Sequence, residues 1–242
     1  MFKDYSKALL ALMISGGATA VFADVNTSGF QLSAYGGIAD TNLDASNYML
    51  AGEQLEVLSP TSNGSSNFAW GFGAAYRFVL PNYLDDVSFG LDLLHLPGTQ
   101  KGDVSDYGTL NNSTYQLTFK STRLMADSEW TFHSIGRRLY PFIEAGIGFS
   151  ANNINYFTAP DSDAAWEVGQ TMTGNTIFQL AYNAGGGVKI ALSDRARLSF
   201  RYLYAGLGSA RTNKNTALLS TTTGIDTSAH SGTWLAGLSY LL

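Results

Sequence analysis

The sequence predicts an all-β chain, an eight-stranded antiparallel up-and-down transmembrane β-barrel. Three observations carry that prediction. Apolar and small or polar residues alternate with period two through eight segments, the pattern of strands with two different faces. Within those segments every charge except Lys120 falls in the register of small residues. The connections alternate short (80–85, 133–138, 193–196) and long (40–66, 97–113, 151–175, 207–231), the rhythm of a bacterial barrel with both termini on the short-turn side.

The segments follow in chain order. The first, 29–39, carries Phe30, Leu32, Ala34 and Ile38 in its apolar register. Segment 67–79 carries Trp70, Phe72, Ala74, Tyr76 and Phe78, and 86–96 carries Val87, Phe89, Leu91 and Leu93. In 114–132 the register holds Leu124, Ala126, Trp130 and Phe132, but Tyr115, Leu117 and Phe119 lie in the other one. A β-bulge near Ser121–Thr122 would explain that change of phase. Segment 139–150 carries Ile143, Ala145, Ile147 and Phe149, and 176–192 carries Phe178, Leu180, Tyr182, Val188, Ile190 and Leu192. The last two are 197–206, with Leu198, Phe200, Tyr202 and Tyr204, and 232–242, with Trp234, Leu238, Tyr240 and Leu242. Each is long enough for a tilted strand to span a bilayer, which takes about 9–11 residues.

Alternation does not say which register faces in. A soluble lipocalin-like barrel would bury the apolar one; a membrane barrel turns it outward. Two features favour the membrane. The second register is dominated by Gly71, Gly73, Gly90, Gly146, Gly148, Gly185, Gly187 and Gly237, small residues that a narrow interior requires. The aromatics also gather at segment ends. Trp70, Phe149, Phe178, Tyr204 and Trp234 would form an upper belt, and Phe30, Phe78, Trp130, Phe132 and Tyr240 a lower one, as at membrane–water interfaces. Closure follows, because an open edge in hydrocarbon leaves backbone groups unpaired.

Ahead of the strands, residues 1–23 read as a secretory leader. Lys3 and Lys7 precede an uncharged run from Ala8 to Ala23, and Val21 and Ala23 fit a small-residue cleavage site before Asp24. Export to a Gram-negative outer membrane is the expectation, with residues 24–242 forming the barrel domain. Across all 242 residues, 14 Lys+Arg against 19 Asp+Glu give a net charge of −5. That argues against nucleic acid as a partner. The absence of cysteine excludes a disulfide scaffold and a thiolate metal site.

Leu139-Tyr-Pro-Phe-Ile-Glu-Ala-Gly-Ile-Gly-Phe-Ser150 resembles the fifth-strand pattern of the OmpA-like and opacity-like surface-antigen barrels. Ala184-Gly-Gly-Gly-Val188, Ala191-Leu-Ser-Asp194 and Leu198-Ser-Phe-Arg-Tyr-Leu-Tyr204 are similar to that family's sixth strand, turn and seventh strand. Gly237-Leu-Ser-Tyr-Leu-Leu242 looks like the terminal strand read by the barrel-assembly machinery, although the family usually ends in an aromatic residue and this chain ends in Leu242. The resemblance covers the strands, not the loops. It implies a small non-enzymatic outer-membrane protein that supports envelope integrity and presents its loops for surface recognition or adhesion.

The expected interior holds Arg77, Asp92, Arg123, Asp127, Glu129, Glu144, Lys189 and Arg201, four basic and four acidic groups. Buried ions must pair. A network that plugs the lumen is expected, with Glu129, Glu144, Lys189 and Arg201 at its centre; a gate that opens a narrow path by exchanging partners is the alternative. No catalytic or cofactor site is expected. His95, His133 and His230 are the three histidines, and adjacent His-Ser pairs in a strand point to opposite faces. A rim site for a lipid-modifying enzyme or protease, built on His95 and His230, is a remote alternative. Loose acidic residues in the loops (Asp103, Asp106, Asp161, Asp163, Glu167) suggest at most divalent cations bridging lipopolysaccharide. The expected partners are outer-membrane lipid and lipopolysaccharide, the assembly machinery, and a host or surface ligand at the four long loops.

Overall fold

The computed structural model describes residues 27–44, 48–51, 54–62, 66–80, 82–106, 111–136, 138–160, 171–213 and 225–242. The leader therefore lies outside the described residues. Eight long strands form the wall: β1 (Gly29–Leu43), β2 (Ser66–Val79), β3 (Asp86–Asp106), β4 (Asn111–Thr131), β5 (Leu139–Pro160), β6 (Ile177–Ala191), β7 (Ala196–Thr212) and β8 (Asp226–Leu241). Each pairs antiparallel with the next, and β1 pairs with β8 as well as β2: Gly36 lies opposite Trp70 on one side and Ala236 on the other. The sheet is a closed ring.

The apolar register faces outward. Phe30, Phe72, Phe89, Leu91, Ile147, Phe149, Phe178, Leu180 and Trp234 are all exposed, whereas Arg77, Glu144, Lys189 and Arg201 are buried. The interior approach is close. A Cβ on Gly187 would lie 2.0 Å from the Phe200 carbonyl oxygen, and one on Gly37 1.9 Å from that of Trp234.

Two sequence expectations need correction. No bulge interrupts β4 near Ser121–Thr122: its ladder with β5 runs from Ser113–Pro160 to Thr131–Phe142 without a register shift. Tyr115, Leu117 and Phe119 face inward in the same register as Ser121 and Arg123. What changes is the surroundings. Above the upper aromatic belt the outer wall meets water and becomes polar (Thr114, Gln116, Thr118, Lys120), while the interior becomes apolar. A solvated strand with a buried inner face inverts the pattern of a lipid-facing one.

The second correction follows from the first. Much of the four long connections is strand, so the wall continues above the belt. The β3–β4 ladder extends to Ser105–Asn111. A hairpin of Tyr48–Ala51 and Gln54–Ser62 carries the β2 line up beside β3, and Thr171–Met172 and Gly174–Asn175 bridge β5 and β7. Serine, threonine and asparagine read as loop, but Thr in particular also suits a solvated strand.

A genuine bulge lies in β7, between Gly206 and Gly208. Gly208 has φ +75°, and a Cβ there would come 2.6 Å from that of Gln179. The extra residue flips the parity of β7, turning Ala210 and Thr212 inward and Arg211 outward to pair with Asp226. Gly208→Val should cost about 1–3 kcal/mol through the strained backbone, read as a lower urea midpoint for unfolding in detergent.

Candidate functional site

The lumen is filled in two storeys. The lower storey is ionic. At the short-turn end Asp86 Oδ2 accepts from Arg77 Nε at 2.9 Å and from Arg197 Nη1 at 2.6 Å, and Arg197 Nη2 reaches Asp85 Oδ2 at 3.0 Å. The Arg197 guanidinium also lies over the Tyr140 ring. One level up, Lys189 pairs with Glu129 and donates to Thr131 Oγ1 at 3.1 Å. Arg201 Nη1 is 2.5 Å from Glu144 Oε2 and 3.9 Å from Asp92 Oδ2. Its guanidinium stacks 3.9 Å above the Tyr35 ring, whose hydroxyl donates to Asp92 at 3.4 Å. Asn183 Nδ2 donates to Asp127 Oδ1 at 2.7 Å.

The ladder explains this division of partners. Glu129 and Glu144 stand directly opposite each other on β4 and β5, where two like charges repel. Each is held by its own cation from two strands further round the ring, Glu129 by Lys189 of β6 and Glu144 by Arg201 of β7. Arg123 is buried above them and makes no ion pair among the described residues. A cavity of about 30 Å³ remains among Tyr35, Asp92, Asp127, Glu129, Glu144 and Arg201, room for roughly one or two waters.

All eight charges expected in the lumen thus face it, and two pairs among them are close. Sequence reasoning missed Asp86 and Arg197, which hold the lowest cluster together. Asp86 opens β3 and Arg197 is the second residue of β7, and they share the inward parity of Ser88 and Asp92, and of Ser199 and Arg201. That parity was the available signal.

The upper storey is apolar. Leu94, Leu96, Leu117, Phe119, Ile154, Tyr156, Met172, Leu207 and Ile225 are buried together, with Tyr115 stacked on Tyr156 at 6.3 Å between centroids. Burial, reinforced by the Asp103 carboxylate, pushes the Tyr115 phenol up to about 12. It is therefore neutral across the physiological range.

The wall lapses at two places here, and each lapse is sealed from inside. Among the described residues the β2–β3 ladder has no pair between Trp70–His95 and the Ser62–Lys101 pair above it. Pro97, which has no N–H to offer a ladder, lies in that stretch. Thr41 Oγ1 of β1 donates to its carbonyl at 3.4 Å, and Gln100 Nε2 donates to the Leu43 carbonyl at 3.3 Å. Between Tyr182–Gly206 and Asn175–Arg211, β6 and β7 likewise part. There Ser150 and Asn152 of β5 donate to the Leu207 carbonyl at 2.5 and 2.6 Å.

The histidines do not converge. His95 lies on the outer wall of β3, hydrogen-bonded to Thr122 Oγ1 at 3.0 Å and packed on Trp70. His230 lies on β8, three strands round the ring, 3.9 Å from Asp44. His133 is exposed at a short turn. Among the described residues no three His, Cys, Asp or Glu side chains gather as metal ligands; Asp161, Asp163, Glu167 and the Asp106 side chain lie outside them.

A family model described as "Outer membrane protein beta-barrel domain" matches residues 9–240. The chain belongs to the outer membrane protein β-barrel domain family. Membership places its apolar outer wall in the lipid of the outer membrane and fits the resemblance to OmpA-like and opacity-like barrels. Solved structures with a similar fold include Neisserial surface protein A (16% identity, TM-score 0.44, covering 89% of this chain and 98% of that one). Ail of Yersinia pestis is 13% identical (TM-score 0.40, 89% and 100% covered). OprG of Pseudomonas aeruginosa is also 13% identical (TM-score 0.41, 90% and 98% covered). No curated protein matches the sequence.

Proposed function

We propose that this family member is a non-conducting, non-enzymatic surface barrel. It reinforces the envelope and holds its long-loop end above the membrane for recognition or adhesion. The observation that supports this best is the doubly filled interior. Ion pairs occupy the membrane level and an apolar core occupies the level above, so the loops stand on a packed wall rather than around a pore. On this reading residues 1–23 are a leader removed on export, and the assembly machinery reads the strand ending at Leu242. Lipid and lipopolysaccharide surround the wall, and a host or surface ligand meets the loops. An eight-stranded interior is just wide enough for side chains to fill.

Purified protein in planar bilayers should give no stable open channel; a steady wide conductance would contradict the proposal. The chain has no cysteine, which makes topology easy to test. Thr61→Cys should react with an impermeant maleimide on intact cells, and Ser134→Cys only after the outer membrane is broken. The reverse order would invert the barrel. A second reading, lateral passage of small apolar solutes, draws on the lapse beside Pro97. The Thr41 hydroxyl and the buried Ala69 and Leu96 side chains fill that place, which favours a closed wall.

A further inference from the structure

Above the aromatic belt the outward side chains of β3, β4 and β5 are mostly hydrophilic, and among the described ones a single aromatic ring stands out. Phe157 keeps 51% of its surface exposed among Thr118, Lys120, Asn153 and Asn155. Lipid does not explain it. The ladder sets Lys101 opposite Gln116 and Gln116 opposite Phe157, while the belt lies lower, at His95–Thr122. Six residues at about 3.3 Å each, on strands tilted roughly 40°, put this row on the order of 15 Å above the belt. Beside Phe157 the wall is hollowed into a cavity of about 350 Å³, bordered by Thr61, Lys101, Asp103, Thr114 and Gln116, a volume within the roughly 300–1,000 Å³ of ligand sites.

From this geometry we infer that the hollow seats a sugar ring of the lipopolysaccharide core that stands beside the barrel. A pyranose has one face of C–H groups and an edge of hydroxyls. Phe157 supplies an exposed aromatic surface for the face. Thr61, Thr114 and Gln116 supply donors and acceptors for the edge. Lys101 and Asp103 nearly cancel, which suits an uncharged ring. Direction decides the source of the sugar. Lys101, Thr114, Gln116 and Phe157, which line the hollow, belong to the outward register of the wall, so on this reading it faces the carbohydrate of the outer leaflet rather than an approaching cell. Lys120, paired in register with Asn153 between belt and hollow, places a cation where that lipid's phosphates begin.

The inference rests on the surface-end topology proposed above, which the maleimide experiment tests separately. Its own test uses refolded full-length protein in detergent free of lipopolysaccharide. The probe is the lipid-free core oligosaccharide of a rough-type lipopolysaccharide, followed by saturation-transfer NMR and calorimetry. Wild type should bind it saturably, Phe157→Ala about fivefold or more weakly, and Phe157→Tyr like wild type. Gln116→Ala gives a second, milder loss. Heat-modifiable gel migration confirms that each variant is folded. Undiminished binding by folded Phe157→Ala, or no binding by wild type, overturns the site. Equally tight binding of a maltooligosaccharide of the same length overturns its assignment to the lipopolysaccharide core.

Discussion

Arg201→Ala is expected to be the most damaging single lumen substitution. It leaves Glu144 buried without its cation, across the ladder from Glu129 and near Asp92. Removing one partner of a buried pair costs about 3–5 kcal/mol, because the charge left behind keeps its desolvation penalty. That is roughly two to three and a half powers of ten in the folding equilibrium. It should appear as a large fall in the urea midpoint and loss of the heat-modifiable band. Adding Glu144→Gln should recover much of the loss. If Arg201→Ala unfolds like wild type, the ion pairs do not hold the barrel. Lys189→Ala should cost less, since Glu129 is partly solvated and keeps a hydrogen bond from Ser88 at 3.3 Å. It too should destabilise without opening a steady conductance.

Phe119→Asp carries the second large effect, and it separates the two storeys. Phe119 is fully buried in the upper core. Phe→Ala alone typically costs about 3–5 kcal/mol in a packed core, and a carboxylate adds an unpaired charge in apolar surroundings. The ionic storey below makes none of its pairs to Phe119. The expected result is a barrel that still migrates as folded but whose upper wall is open to protease. Protection of that wall equal to wild type would show that the upper core is not what orders it.

The membrane-level barrel was legible because two solvents, lipid outside and paired ions inside, impose a strict alternation on every strand. Register parity even anticipated Lys189, Glu129, Arg201 and Glu144 as neighbours. The upper wall was not legible because parity carries no sign. Tyr115, Leu117 and Phe119 looked out of phase only on the assumption that apolar means outward; in water the same register is buried. Asp86 and Arg197 escaped although segments 86–96 and 197–206 include them, because a charge at the turn-proximal end of a strand reads equally well as a solvated turn residue. The bulge was written in Gly206-Leu-Gly208, yet glycine is so common in this interior that the one with positive φ does not stand out.

Apolar side chains look into lipid while ions occupy the middle of the barrel. Tryptophan fluorescence tests this arrangement most directly. In a Trp166→Phe background the remaining Trp70, Trp130 and Trp234 all belong to the outward register. In vesicles of lipids with brominated acyl chains their emission should fall strongly relative to unbrominated vesicles. Emission untouched by bromine would mean that these rings are packed inside a soluble barrel, with the charges turned to water.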